Sequence, residues 1–247
     1  MDFVQDTRTY YACRLGEEDA FLFDAGVRLI RSDTRDRAQP GYSDPFALWV
    51  WAEPGRLLVS YGARAASRME RLQTLLEPDL PAVELKARIQ AVFYGKVLCQ
   101  FKYYLFDIPQ MPPDAVVLQR TQYPDYRALF LSCHPGCGSA GWLEDYFYDM
   151  VDSGFCCGVF AEGKLVSCTD LPDMPYLPDR FAEIGVNTHP QYRGRGYAAQ
   201  ACALSIRRIL EAGKCPLYSA FSDNIASQRV AERTGFQKLG EVFALHL

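Results

Sequence analysis

Apolar residues recur at helical spacing in the last third of the chain, where Ala198, Cys202, Ile206, Ile209 and Leu210 alternate with polar positions such as Arg207, Arg208 and Glu211. This spacing predicts a helix, and Gly213 supplies its stop. Phe181 to Val186 reads as a strand ahead of it, broken by Asn187-Thr188-His189-Pro190. Pro216 to Ala220 reads as the next strand, and Asn224 as the N-cap of a helix running through Thr234 and closed by Gly235-Phe236. Further upstream the pattern predicts a strand at 115–120, helices at 126–133 and 142–151, and a hairpin of 155–161 with 164–169 turning at Glu162-Gly163. A final strand is expected from Glu241 to Leu247.

The front of the chain reads as a smaller α/β unit. Phe46 to Trp51 and Arg56 to Tyr61 flank Glu53-Pro54-Gly55 as a hairpin, followed by helical patterns at 63–76 and 85–99. Ile108-Pro109-Gln110-Met111-Pro112-Pro113 marks a break, which predicts an N-terminal α/β domain over 1–110 and a second domain over 111–247. Arg28, Arg31, Arg35 and Arg37 alternate with Asp24, Asp33 and Asp36, a pattern expected of a solvated, internally paired surface.

Composition narrows the classes. The 247 residues are 49% hydrophobic and 23% charged, with a formal charge of -4, which disfavours a general nucleic-acid binder. No apolar run reaches the roughly 18 residues that span a bilayer, and Met1 to Asp6 lacks a basic, apolar leader, so a cytoplasmic protein without membrane or nucleic-acid partners is expected. Nine dispersed cysteines predict reduced thiols. Cys133-His134-Pro135-Gly136-Cys137 lacks the second pair of a structural zinc site and reads as a loop, so no metal is expected; Cys156-Cys157 reads as packing.

The stretch with most chemistry is Gln191-Tyr192-Arg193-Gly194-Arg195-Gly196, set between the strand at 181–186 and the helix that follows. Two glycines permit a sharp turn with close backbone approach, and the helix start offers unpaired NH groups with the positive end of its dipole. Arg193 and Arg195 add charge, so the turn reads as a cradle for a pyrophosphate. A dinucleotide fingerprint needs a third glycine that is missing here, and Gly-x-x-x-x-Gly-Lys-Ser/Thr is absent, which argues against a nucleotide-binding loop.

Gln191, Gly194 and Gly196, with Asn224 and the Gly235-Phe236 pair about a dozen residues later, resemble the GNAT superfamily of acyl-CoA-dependent N-acetyltransferases. The resemblance covers roughly 111–247 and implies an α/β fold with a mixed (α+β) sheet of six or seven strands and four helices, preceded here by the smaller α/β domain. It also implies acetyl-CoA as co-substrate and direct attack on the thioester by a primary amine of a small molecule or peptide, with a homodimer as an allowed assembly. On this footing Val186 and Thr188 would engage the pantetheine through their backbone NH groups. The NH groups of Arg193, Gly194, Arg195, Gly196, Tyr197 and Ala198, beside Gln191, would hold the pyrophosphate, and Asn224 would orient the pantetheine arm or act simply as a helix cap.

Glu183 is the first candidate for the base that receives the proton of the attacking amine, because partial burial in an otherwise apolar strand strengthens a carboxylate as a base; the alternative is a solvent-facing strand residue. Asp170 and Asp173 are reserves for the base or for holding a cationic substrate. The acidic residues Asp145, Asp149, Asp152, Asp170 and Asp173 point toward such a substrate, or serve only solubility. Where family members carry a Tyr seven residues after the Asn as general acid, this chain has Ala231, leaving Ser227 and Tyr218 as substitutes. That departure motivates the alternative of a non-catalytic acyl-CoA-binding or sensing protein.

Overall fold

The computed structural model describes residues 2–38, 45–112, 114–137 and 141–247; Met1 and Pro113, both used in the sequence reading, lie outside them. The first half contains α1 (Phe3–Leu15), β1 (Gly26–Arg31), β2 (Phe46–Glu53), β3 (Arg56–Tyr61), α2 (Ala63–Ala66), α3 (Met69–Gln73), α4 (Ala82–Phe93) and β4 (Val97–Leu105). The second half contains β5 (Ala115–Val117), α5 (Tyr123–Cys133), α6 (Leu143–Asp152), β6 (Cys157–Ala161), β7 (Lys164–Asp170), β8 (Phe181–Glu183), β9 (Gly185–Thr188), α7 (Tyr197–Glu211), β10 (Cys215–Phe221), α8 (Ile225–Arg233) and β11 (Phe236–His246).

Among the described residues the strands form a seven-stranded sheet ordered β1-β3-β2-β11-β4-β10-β8 and a four-stranded antiparallel sheet ordered β5-β6-β7-β9. The larger sheet is mixed, with β1 parallel to β3, β8 parallel to β10, and the other pairings antiparallel. It crosses the break at 108–113, because β4 of the first half lies between β10 and β11 of the second. Gly235, at φ 87°, seals this junction: its carbonyl accepts from the amides of Phe106 and Asp107, and a Cβ there would lie 1.9 Å from the Asp107 carbonyl oxygen. Only glycine satisfies both constraints.

One face of the larger sheet carries Leu48, Val50 and Phe243 under α3 and α4, and Tyr218, Ala220 and Phe236 under α7 and α8. The other carries Trp49, Trp51, Phe181 and Leu217 under α1, whose Tyr10, Tyr11 and Leu15 are buried. In the smaller sheet, α7 covers Val159 and Val166, while α5 and α6 cover the opposite face through Tyr126, Phe130 and Phe147.

Several sequence expectations change. The helix expected over 85–99 ends at Phe93, because Tyr94 takes a left-handed conformation at φ 57°, and 97–105 becomes the strand β4. The pattern at 63–76 divides into α2 and α3, the last strand begins at Phe236 instead of Glu241, and α1 and β1 add elements that were not expected. The arginine-rich segment is not a solvated surface throughout: Arg28 pairs with Glu17, whereas Arg35 is fully buried and donates to the Arg14 carbonyl at 2.7 Å. The bond holds the end of α1.

Candidate active site

The expected strand at 181–186 is two strands. β8 pairs with β10 up to Glu183 opposite Leu217, the Ile184 amide donates to the Leu217 carbonyl at 2.9 Å, and from Gly185 the chain pairs instead with β7. The two sheets therefore part beyond Ile184 and leave a gap between β9 and the outer half of β10. In the β7–β9 ladder the His189 amide donates to Val166, so the antiparallel alternation turns the NH and CO groups of Val186 and Thr188 away from β7, toward the gap. The Thr188 carbonyl is met there by Arg193 Nε at 3.2 Å and by the Cys133 thiol at 3.5 Å.

The glycine turn follows. Pro190–Tyr192 makes a short 3-10 turn: the Gln191 amide donates to His189 Nδ1 and the Tyr192 amide to the His189 carbonyl. The buried Tyr192 anchors the turn on the β6–β7 hairpin through a 2.8 Å bond to Glu162. The Arg193 amide lies 3.5 Å from the Pro190 carbonyl, so the donor set begins one residue later than the sequence suggested. Among the described residues, the amides of Gly194, Arg195, Gly196, Tyr197 and Ala198 have no intramolecular acceptor. Gly194 and Gly196 have φ of 78° and 87°, and a Cβ on Gly194 would meet nothing within 4 Å. Five consecutive unengaged amides at the start of a 15-residue helix suit a diphosphate. Arg195 rides over the Tyr192 ring at 5.1 Å, and Gln191, Arg193 and Arg195 are exposed at the rim.

A residue missed by the sequence reading joins them. Arg233, in the last turn of α8, places Nη2 3.5 Å from where a Cβ of Gly196 would be. Only the packing of α7 against α8 brings it there, and no local pattern announces it. Asn224 caps α8, its side chain accepting from the Ser227 amide at 3.1 Å, and remains exposed.

The catalytic candidates flank the gap on opposite sheet faces. On the α7–α8 side the Tyr218 hydroxyl lies 2.9 Å from Ser227 Oγ. Burial, with the neighbouring Cys202 thiol, pushes the phenol well above its ordinary value, so it remains a proton donor. Ala231 is fully buried in the same apolar cluster as Tyr218. On the α1 side Glu183, half-buried, accepts a hydrogen bond from Ser219. Asp170 lies beside Gly185 and accepts from the Tyr146 hydroxyl, whereas Asp173 stands on the loop after β7.

Lys102 faces the same side, in register with Ser219, with its ammonium donating to Gln100 at 2.8 Å and lying 5.7 Å over the Tyr11 ring. Burial lowers it to about 8, partly opposed by the charge of Glu183. Because that value lies below the unfolded one, the folded state below pH 8 carries a cation that water would solvate better, and the penalty fades as pH rises from about 8 toward the unfolded value of 10.5. The difference corresponds to about 3 kcal/mol. Lys102→Met should therefore gain up to about 3 kcal/mol over the parent at pH 7. Denaturant titrations across pH should show the gain shrinking above pH 8 and vanishing near the unfolded value; a gain independent of pH would place its origin in packing.

Cys156 and Cys157 are buried, and among the described residues no cluster of His, Cys, Asp or Glu is arranged to hold a metal. No helix of the described residues is long and apolar enough to cross a membrane.

Residues 146–244, which contain the gap, the turn and the Asn224 cap, match the GNAT acetyltransferase family. This stretch, less than half of the chain, is similar to a GNAT acetyltransferase domain. A GNAT-family acetyltransferase from Colwellia psychrerythraea has a similar structure, with TM-score 0.52 and 16% identity over 67% of this chain and 63% of that one. A protein of Novosphingobium aromaticivorans described as a GNAT acetyltransferase aligns at TM-score 0.47 and 28% identity, over 61% of this chain and 64% of its own. A Salmonella typhimurium structure that holds acetyl-CoA aligns at TM-score 0.42 and 14% identity, over 54% and 91% of the two chains. The matched parts thus span less than two thirds of the Colwellia and Novosphingobium proteins. No curated protein matches the chain. The mixed α/β architecture expected of the second half is the one observed, and the likeness to the Colwellia structure supports the same fold.

Proposed function

We propose that this chain transfers an acetyl, or other acyl, group from acetyl-CoA to a primary amine of a small molecule or peptide. The observation that carries the reading is the set of five unengaged amides at Gly194 to Ala198, placed at the end of a strand whose Val186 and Thr188 backbone groups face a gap in the sheet. The turn amides, with Arg195 and Arg233 beside them, would hold the diphosphate, and Val186 and Thr188 the pantetheine arm. Acetyl-CoA supplies an activated thioester carbonyl. The amine nitrogen forms the new bond to that carbonyl carbon, the carbon–sulfur bond breaks, Glu183 takes the proton lost by nitrogen, and the Tyr218–Ser227 hydroxyl pair donates toward the departing sulfur.

In this reading 111–247 is the acyl-transferring part, and 1–110 is more than an appendage. It supplies β4 to the sheet and places Lys102, Tyr11 and Arg14 within electrostatic reach of Glu183. The deciding experiment pairs thermal unfolding with a free-thiol assay. CoA should raise the melting temperature, as any ligand selective for the folded state does, and acetyl-CoA with an amine library should release thiol. Stabilisation by CoA without thiol release from any amine would leave a binding or sensing protein; no stabilisation would remove both.

A further inference from the structure

A cavity of about 430 Å³ opens along the edge of β8 on the α6 side, bounded by α6, the loop 171–178 and the Phe181-Ala182-Glu183 strand. Glu183 is one of its lining residues. Its walls are aromatic. Trp142, 55% exposed, meets Tyr146 edge-on with ring centroids 5.7 Å apart, and Phe155 and Phe181 line the inner side. An exposed tryptophan packed edge-on to a tyrosine, their planes 71° apart, offers an aromatic face to a flat or cationic group.

Charge defines the rest. Of five aspartates that the sequence offered as a cationic site, Asp152 is paired with Arg120, Asp170 accepts from Tyr146, and Asp145 is not among the cavity residues. Asp149 and Asp173 do line the cavity. Among the described residues Lys214 is the single cation of the wall, and its ammonium is turned to the Pro178 carbonyl at 2.9 Å and to the face of Phe155. Among the described residues three carboxylates, counting Glu183, thus share the wall with one engaged cation.

Resting on the acetyltransferase reading above, we infer that the acceptor is a dication: a primary amine that reacts at Glu183, joined by an apolar spacer to a second positive group held by Asp149, Asp173 and the Trp142 corner. The two aspartates are exposed, so each interaction is screened, and together with a cation–π contact they account for about a tenfold preference over a monocation of equal length.

Calorimetric binding to the CoA-loaded full chain tests this with a homologous series of α,ω-diaminoalkanes and the matching n-alkylamines. The best diamine should bind about tenfold tighter than its monoamine, with an advantage that falls with salt and largely disappears in the double variant Asp149→Asn, Asp173→Asn. Equal affinities, binding by neither series, or an advantage that survives both substitutions would overturn the inference. Because binding is read without turnover, an absence of thiol release with every amine would count against the activity alone. The CoA-induced melting shift of the double variant verifies that it is folded.

Discussion

Gly194→Glu should lose CoA binding by at least about 100-fold, while Gly194→Ala keeps most of it. Both substitutions place a Cβ on a residue at φ 78°, where an L side chain costs of order 1 kcal/mol or somewhat more. Neither meets a steric barrier, since the space around that Cβ is open. The variants differ in what the side chain does next. A carboxylate two bonds beyond Cβ reaches the unengaged amides of Arg195 to Ala198 and the positive start of α7, so it occupies the donors from within and repels a diphosphate. Alanine leaves those donors in place. Calorimetric titration with CoA separates the cases: equal affinities for both variants would mean that backbone strain alone sets the effect, and parental affinity in Gly194→Glu would remove the turn from the site.

Parts of the site that depend on local sequence were readable from it. The turn needs glycines at positive φ, Asn224 needs only its own helix, and Glu162-Gly163 closes a hairpin between neighbouring strands. What was not readable depends on distant partners. The parting at Ile184 is a choice between β10 and β7, which the apolar run 181–186 carries no sign of. The first residues of β4, 97–99, fall in the helical pattern 85–99 because a short apolar run fits either period, and the left-handed Tyr94 that ends α4 is no turn residue by type. Arg35 and Lys102 defeat the rule that charges lie outside, since their burial follows from α1 closing over the sheet. Tyr218 and Ser227 lie on separate elements and meet because α8 folds back over β10.

Glu183→Gln should preserve CoA affinity and lower kcat/KM by about 10³-fold at pH 7, within the range of a lost general base. Glutamine matches the shape, and its carbonyl still accepts from Ser219, so the loss isolates the proton acceptor and the charge. With an acceptor amine near pKa ~10.4, only about one molecule in 2,500 is neutral at pH 7. The parent binds the ammonium form and removes its proton at Glu183, which keeps kcat/KM nearly level through the neutral range; the variant must await the free amine, so its rate should rise about tenfold per pH unit toward the amine pKa. A variant profile parallel to the parent's would take Glu183 out of the proton path. The charge has a second, separable readout. Glu183 is the anion that opposes the lowering of Lys102, so in Glu183→Gln the ammonium should titrate below about 8, and the window in which stability rises with pH should extend downward. An unmoved window beside a collapsed rate would keep Glu183 as the base and detach it from Lys102, whereas movement of both ties the proton acceptor to the buried cation that the first half of the chain places beside it.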